Sequence, residues 1–220
     1  MIYARRWYRW LTLPLLVCAV VLGTGVPGCR YWAGPLPLGV DNGVRAANSP
    51  ASSRWAQPME LPGLPNLHKI SDSIYRGAAP TAEGIRQLKE RGIRTVVDLR
   101  DVGSPDDLRG TGMMYVRIPA TAWQPEEKDV VQFLQTVTDA GRLPVFVHCR
   151  RGADRTGMMC AIYRVAVLGW SKDQAIDEMT HGGFGFYSGW QNLVRYIRDL
   201  DIERIKRLAA PASAHPSPAD

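Results

Sequence analysis

The residues best suited to chemistry lie in one short run, His148-Cys149-Arg150-Arg151-Gly152-Ala153-Asp154-Arg155-Thr156-Gly157. An apolar stretch, 145–147, precedes this run, and an apolar helical pattern follows it. A loop between a strand end and a helix N-terminus can direct several backbone N–H groups into one concavity, which favours a dianion such as phosphate. The same donors favour a thiolate over a thiol, so we expect the pKa of Cys149 to be depressed.

Particular roles follow from the chemistry of each side chain in this loop. Cys149 is the predicted nucleophile, and Arg155 can bind two phosphate oxygens with its planar guanidinium. Thr156 can donate its hydroxyl hydrogen bond to the thiolate, while His148 can brace the loop from behind. The remaining predicted phosphate-binding positions are Arg150, Arg151, Gly152, Ala153 and Gly157. The alternative for Cys149, a small buried apolar residue, fits Cys160 in the following helix better.

Composition narrows the classes of partner. The 220-residue chain carries 27 Lys and Arg against 21 Asp and Glu, which is mildly basic. A solvated basic surface and an anionic substrate or membrane both fit this charge. The basic residues form no dense block with interleaved aromatics, so nucleic acid is not expected. The four cysteines have neither zinc spacing nor the density of a disulfide framework.

The first 29 residues are predicted to be a signal peptide or membrane anchor. Three arginines lie in the first ten residues, and the apolar stretch 11–22 is too short to span a hydrocarbon core of about 30 Å. Gly28-Cys29 resembles a bacterial lipoprotein cleavage site, although Pro27 departs from it. A lipid on Cys29, an uncleaved anchor and a simple signal therefore stay open. We expect the catalytic part to lie outside the cytoplasm, membrane-anchored or secreted.

The rest of the chain divides by composition and periodicity. Residues 30–65 are rich in Gly and Pro and predict a linker, 66–208 a folded domain, and 209–220 a disordered tail. Within the domain, strands are predicted at 73–76, 94–99, 114–118 and 145–147. Helices are predicted after Thr81, around 130–137, after the loop, and at 172–180 and 189–207. This alternation indicates an α/β sandwich with helices on both faces of the sheet.

The loop resembles the signature of the protein tyrosine and dual-specificity phosphatase superfamily, which is His-Cys, five residues, Arg and Ser/Thr. The likeness extends over 66–207, and 73–80 looks like the opening of compact bacterial, plant and fungal dual-specificity-like members. It implies an α/β fold with a central four- to five-stranded sheet flanked by helices, with no metal and no cofactor. It also implies hydrolysis of phosphomonoesters through a cysteinyl-phosphate intermediate on Cys149, with Arg155 steadying the equatorial oxygens.

The sequence departs from the superfamily pattern at the position of the residue that donates a proton to the leaving group. Most members place an Asp on a loop after a preceding strand, but 120–122 hold no carboxylate. Asp154 is our first candidate, because an Asp also precedes the arginine in the myotubularin loop; an ion pair with a nearby arginine is its other interpretation. The alternative donors, which also suit a helix's first turn, are Glu127, Glu126 and Asp129.

Substrate and competing functions stay open at this level. Trp123 or Tyr187 could line a slot for phosphotyrosine in a phosphorylated protein, the substrate most often assigned in the superfamily. Arg150 and Arg151 could instead bind extra phosphates of an inositol phosphate or phosphoinositide. Three competing hypotheses are a sulfurtransferase, an arsenate reductase and a catalytically weak phospho-ligand-binding module. We expect a monomer, with membrane association through the N-terminus.

Overall fold

The computed structural model of the chain describes residues 54–104 and 108–211. The predicted signal or anchor at 1–29, including Cys29, lies outside the described residues. So do most of the predicted linker and most of the predicted tail. Within the described ranges, no helix is long and apolar enough to cross a membrane.

Strands and helices alternate through the described part of the chain. The strands are β1 (Gln57–Pro58), β2 (His68–Lys69), β3 (Ile74–Gly77), β4 (Thr95–Asp98), β5 (Met114–Arg117) and β6 (Val145–His148). The α-helices are α1 (Ala82–Glu90), α2 (Glu127–Thr138), α3 (Asp154–Ala166), α4 (Lys172–His181), α5 (Gln191–Asp199) and α6 (Ile202–Ala209). The α/β class expected from the sequence is confirmed by this order.

The strands form one sheet in the order β1-β2-β3-β6-β4-β5. Strands β3, β6, β4 and β5 are parallel, whereas β1 and β2 add to the β3 edge in antiparallel fashion. In the described part of the chain the sheet thus has six strands, one more than the upper count expected from the resemblance. The additional strands, β1 and β2, have only two residues each, which is too short to show a period in the sequence.

Both faces of the sheet are covered, as the alternation predicted. In β6, Val145 and Val147 pack into the larger apolar cluster with helices α2 to α6, while Phe146 faces the smaller cluster around Leu88 of α1. Fully burying a side chain such as Phe133 contributes about 1.5–3 kcal/mol. The two layers hold the parallel strands rigidly, so their carboxyl ends present a fixed edge to the loops that follow.

Helix caps explain where two helices begin. Thr81 caps α1, as predicted, because its hydroxyl accepts a hydrogen bond from the Gly84 N–H. The single helix predicted at 189–207 is instead two helices, α5 and α6. Asp201 separates them, since its side chain accepts from the N–H of Arg204 and starts the new helix.

The boundaries of the folded domain also need correction. Residues 54–65 were expected to belong to a linker, yet Leu64 and Ala56 are buried. The Ala56 N–H donates to a carboxylate oxygen of Glu178 at 2.6 Å, and that carboxylate is itself buried against Arg164. The folded part also extends one residue into the expected tail, because Ala209 still belongs to α6. Pro and Gly content alone does not reveal which apolar residues in such a segment find a buried site.

Candidate active site

The predicted phosphate loop connects β6 to α3 at the carboxyl edge of the parallel strands. At this edge Gly77 of β3 pairs with His148 of β6, which brings the two chain segments together. Gly152 has a φ of +72°, and a Cβ atom there would lie 2.4 Å from the carbonyl carbon of Gly77. Only glycine suits both the backbone conformation and the close approach.

Cys149 is buried at the base of this loop. Burial alone would raise the pKa of its thiol, but several donors act in the opposite direction. They are the Thr156 hydroxyl and the backbone N–H groups of Thr156, Arg151 and Gly152, and together they hold the pKa below its ordinary value. Within the described ranges the buried Thr156 hydroxyl has no other hydrogen-bond partner, so it is left to donate to the sulfur. The arrangement favours a nucleophilic thiolate.

Arg155 is fixed by the ends of two neighbouring strands. Its Nη1 donates to the carbonyl oxygen of Leu99 at 3.1 Å and to that of Ala120 at 3.4 Å. Nε and Nη2 donate to no other residue in the part of the chain that the structure describes, so they keep their donors for a ligand. Cys149 and Arg155 line the same pocket, whose volume is about 790 Å³. The sequence-predicted nucleophile and phosphate clamp are therefore brought together.

The pocket combines loop residues with groups from three other segments. Among the described residues, its lining consists of Asp101, Ala120, Thr121, Ala122, Trp123, Cys149, Arg150, Arg151, Asp154, Arg155 and Trp190. Two carboxylates, two exposed arginines and two tryptophans thus surround the thiol and the clamp. Such a mixture suits an anionic group attached to an apolar body.

The Asp154 carboxylate is already engaged on both oxygens. Its Oδ1 accepts from the backbone N–H of Tyr187 at 2.9 Å, and its Oδ2 accepts from Nη2 of Arg151 at 2.8 Å. The ion pair with an arginine, the alternative interpretation of this residue, is present. Since both partners donate, a proton on Asp154 would displace one of these bonds, which weakens its case as the proton donor.

The alternative carboxylates lie elsewhere. Glu127 pairs with Arg204 of α6, and Glu126 pairs with Lys128. Asp129 is buried in the first turn of α2, where burial raises its pKa. None of the three carboxylates belongs to the pocket lining given above. The structure places Glu127 and Asp129 in the first turn of α2 and Glu126 at its N-cap, away from the site.

Gly157 also differs from its predicted role. Its N–H donates to the carbonyl oxygen of Ala153 at 2.8 Å, so this donor is used within α3. A Cβ at Gly157 would lie 2.9 Å from the side chain of Met179. The residue allows α3 to pack closely against α4, and its backbone has no N–H left for phosphate.

His148 lies behind the loop, as expected. Its ring is buried and stacks on Phe146 with centroids 5.6 Å apart. Nδ1 lies 3.4 Å from the Cys149 carbonyl oxygen and 3.9 Å from the Asp98 carboxylate. Asp98 in turn accepts from the hydroxyl of Tyr115 at 3.0 Å. These contacts connect the nucleophile's backbone to the neighbouring strands.

Two aromatic side chains form one wall of the pocket. The indole of Trp123 is 82% exposed and meets Trp190 edge to face, with ring centroids 4.6 Å apart. The ring of Tyr187 also meets Trp190 edge to face, with ring centroids 6.4 Å apart. Nδ2 of Asn192 donates to the carbonyl oxygens of Ala122 and Trp123, which secures the loop that carries the exposed indole.

Sequence reasoning missed Asp101 and Trp190 as pocket residues. Asp101 follows β4, and the rule that parallel strands end at one edge could have indicated it. Its Oδ1 lies 3.8 Å from Nη1 of Arg155, and its side chain is 78% exposed. Trp190 has no comparable signal, because its position depends on how α5 packs against α3 and α4.

Comparison with known proteins agrees with this geometry. A family model described as "DSP-PTPase phosphatase fused to NAD+ Kinase" matches residues 66–189. The dual specificity protein phosphatase TpbA of Pseudomonas aeruginosa PAO1 is 34% identical over 213 residues, covering 94% of this chain and 88% of the relative. Inositol diphosphatase DSP5 of Arabidopsis thaliana is 27% identical, covering 65% and 73%.

A solved structure supports the same assignment. A cysteine-to-serine variant of P. aeruginosa TpbA in complex with phosphotyrosine superposes with a TM-score of 0.64 at 31% identity. The match covers 74% of this chain and 98% of the solved one. Together with the thiol and guanidinium in one pocket, these matches confirm the resemblance found in the sequence. The chain therefore belongs to the dual-specificity phosphatases of the DSP-PTPase family and is a cysteine-based phosphatase.

Proposed function

We propose that this phosphatase removes phosphate from phosphotyrosine in proteins, with Cys149 as nucleophile and Arg155 as phosphate clamp. One observation carries the proposal. The thiol and the guanidinium line one pocket together with Trp123 and Trp190, so an anion site and an aromatic wall adjoin. The solved TpbA complex, which holds phosphotyrosine, supports the same substrate class.

The proposed reaction has two displacements at phosphorus. The phosphate binds the loop N–H groups and the free nitrogens of Arg155. The Cys149 sulfur then gives an electron pair to phosphorus, while the bond to the tyrosine oxygen breaks and its electron pair goes to that oxygen. In the second step, water attacks phosphorus and the S–P bond breaks. Inorganic phosphate leaves and the thiolate returns.

We assign the proton donor for the leaving oxygen to Asp101. Among the described residues that line the pocket, the carboxylates are Asp101 and Asp154. Both oxygens of Asp154 already accept hydrogen bonds, whereas Asp101 is exposed beside Arg155. In the second step the ionised Asp101 would take a proton from the attacking water.

A second candidate substrate is a diphosphate group on an inositol phosphate. Relatives of this chain include proteins named inositol diphosphatases. Arg150 and Arg151 are exposed at the pocket, where they would bind additional phosphates of such a ligand. A phosphate leaving group needs protonation less than an alkoxide does, so this substrate also suits the absence of a carboxylate at 120–122.

Steady-state rates on matched substrates separate the two candidates. A phosphotyrosine peptide, the corresponding phosphoserine peptide and an inositol diphosphate are compared using wild type, Trp123→Ala and Arg150→Ala. We expect the highest kcat/KM on the phosphotyrosine peptide, with KM raised about threefold to tenfold in Trp123→Ala through lost ring contact. Highest kcat/KM on the inositol diphosphate, lost mainly in Arg150→Ala, would establish the second candidate instead.

We also propose that the chain is exported, held at a membrane by residues 1–29, and monomeric. The three arginines ahead of an apolar stretch and the Gly28-Cys29 pair support export and lipidation. Metabolic labelling with an alkyne fatty acid tests the anchor, and we expect label in wild type and none in Cys29→Ser. Unlabelled wild type found in the cytoplasmic fraction would contradict the proposal. The molecular mass of the detergent-solubilised chain, measured by analytical sedimentation, tests whether the chain is a monomer.

A further inference from the structure

Three consecutive carbonyl oxygens of the phosphate loop are held by donors from outside the loop. The Arg150 oxygen accepts from the backbone N–H of Ala79 at 3.4 Å. The Arg151 oxygen accepts from the side-chain Nδ2 of Asn66 at 2.9 Å. The Gly152 oxygen accepts from Nη2 of Arg76 at 2.8 Å. All three donors belong to the segment 66–79, which passes behind the loop.

These bonds determine where the loop N–H groups point. In a trans peptide the C=O and the N–H point in opposite directions. Fixing the oxygens of residues 150 and 151 behind the loop therefore turns the N–H groups of Arg151 and Gly152 toward the pocket. Those two N–H groups are among the donors to the Cys149 sulfur. By the same reasoning, the bond from Arg76 turns the Ala153 N–H toward a bound phosphate.

Arg76 is an unusual residue to find in this place. Its side chain, on β3, is 1% exposed, and its guanidinium carbon lies 3.6 Å from the ring centroid of Phe184. Burying a guanidinium is costly unless it is bonded and neutralised. Burial lowers the pKa of Arg76, and the attraction of its charge to Cys160, Glu178 and an anion at Cys149 acts in the opposite direction. Thiolate or phosphate in the pocket thus offsets part of the cost.

Asn66 also supports the phosphate loop, and its own backbone has a left-handed conformation. Its φ is +55°, which Asn tolerates better than most residues. Its Nδ2 donates to the carbonyl oxygens of both Arg151 and Phe184, each at 2.9 Å. Phe184 therefore connects the two supports, since its backbone accepts from Asn66 and its ring covers Arg76.

We propose that Asn66 and Arg76 are positioning residues of the phosphatase site, which hold the loop peptides with their N–H groups directed at the thiolate and the phosphate. Neither residue touches the substrate in this arrangement. The inference rests on the proposed function only in requiring that the loop bind phosphate.

The test measures the thiolate and the anion site directly in the purified full chain. Arg76→Lys keeps the charge but loses the planar fork, and Asn66→Gly keeps the left-handed backbone but loses the amide. Arg164→Lys is the control, because Arg164 is an equally buried arginine that bonds Glu178 and not the loop. Two quantities are measured. The first is the pH dependence of Cys149 alkylation by iodoacetamide, and the second is the constant for inhibition of that alkylation by inorganic phosphate.

Several charged or titratable groups surround the thiol and stay unchanged between Asn66→Gly and wild type. They are Arg76 on β3, Asp101 after β4, His148 on β6, Arg150 and Arg151 in the loop, and Asp154 and Arg155 on α3. A shift in that variant therefore reports loop orientation. Cys160 does not disturb the measurement, because burial raises its pKa to about 11.

We expect both variants to move the alkylation midpoint upward by about one pH unit and to weaken phosphate inhibition about tenfold. Arg164→Lys should lower Tm without moving either reading. Folded variants that keep the wild-type midpoint and phosphate affinity would overturn the proposal, and Asn66→Gly alone decides if Arg76→Lys does not fold. Neither reading depends on phosphotyrosine turnover, so failure of the substrate assignment is recognised separately.

Discussion

The guanidinium of Arg155 donates from Nη1 to the backbone oxygen of Leu99, 3.1 Å away at the end of β4. A longer bond to the oxygen of Ala120 ties the same nitrogen to the segment after β5. The phosphate clamp is thus oriented by the sheet before any substrate arrives. This preorganisation lets the remaining donors stabilise charge on the transferring phosphoryl group without further rearrangement.

Arg155→Lys should therefore lose the hydrogen bonds that fix the side chain and the planar guanidinium that binds two phosphate oxygens. We expect kcat/KM for para-nitrophenyl phosphate to fall by about 10²–10³, the typical cost of removing one preorganised donor. Steady-state kinetics measure it, with Arg150→Lys as the matched control at an exposed loop arginine. Similar losses in the two variants would show that Arg155 has no special place in the site.

Thr156→Val should shift the acid limb of the rate profile. The Thr156 hydroxyl is one of the donors that lower the pKa of Cys149 against the opposing effect of burial. Without it the pKa rises, so less thiolate exists at a given pH and the acid limb of kcat/KM moves to higher pH. Thr156→Ser keeps the hydroxyl and should retain the wild-type limb. An unchanged limb in Thr156→Val would mean that the backbone donors suffice.

Asp101→Asn should distinguish poor from good leaving groups. Without a proton donor, we expect kcat on an alkyl phosphate to fall by about 10²–10⁴, with a much smaller change on para-nitrophenyl phosphate. Asp154→Asn is the comparison, and it should affect both substrates similarly through the disturbed loop. The reverse result, with the leaving-group dependence in Asp154→Asn, would return the donor role to Asp154.

Gly152→Ala should disrupt the site by a local clash. The positive φ at this position typically costs a non-glycine residue about 1–3 kcal/mol, and the added Cβ would also meet the Gly77 backbone at 2.4 Å. Gly92→Ala is the matched control, because Gly92 has a φ of +78° but open space around its Cβ position. Urea unfolding should show a larger loss of stability in Gly152→Ala, accompanied by loss of activity. Equal losses, with activity retained, would contradict the close approach.

Much of the site could be predicted from the sequence because its parts are local. The loop from Cys149 to Thr156 lies between an apolar strand and an apolar helix, so its neighbours in the chain already determine which way Arg155 and the thiol face. The helix cap at Thr81 is local in the same sense. For these residues, the residue types and their spacing were enough to predict their positions in the site or the helix.

The site residues that the sequence did not predict depend on contacts between segments that are distant in the chain. Asp101 reaches the pocket because β4 lies beside β6, and Trp190 reaches it because α5 packs against α3 and α4. Gly157 looked like part of the phosphate loop, but Met179 of α4 explains its small size. The carboxylates at the start of α2 looked available, yet Glu127 pairs with Arg204. Spacing along the chain does not reveal such partners.

The central claim is that the sulfur of Cys149 becomes covalently bonded to phosphorus during turnover. Rapid acid quench of wild type with para-nitrophenyl phosphate, followed by peptide mass spectrometry, measures this directly. We expect a phosphorylated peptide containing Cys149 in wild type, and neither that peptide nor turnover in Cys149→Ser. Sustained turnover in Cys149→Ser, or rapid turnover by wild type with phosphate never found on this cysteine, would contradict the account.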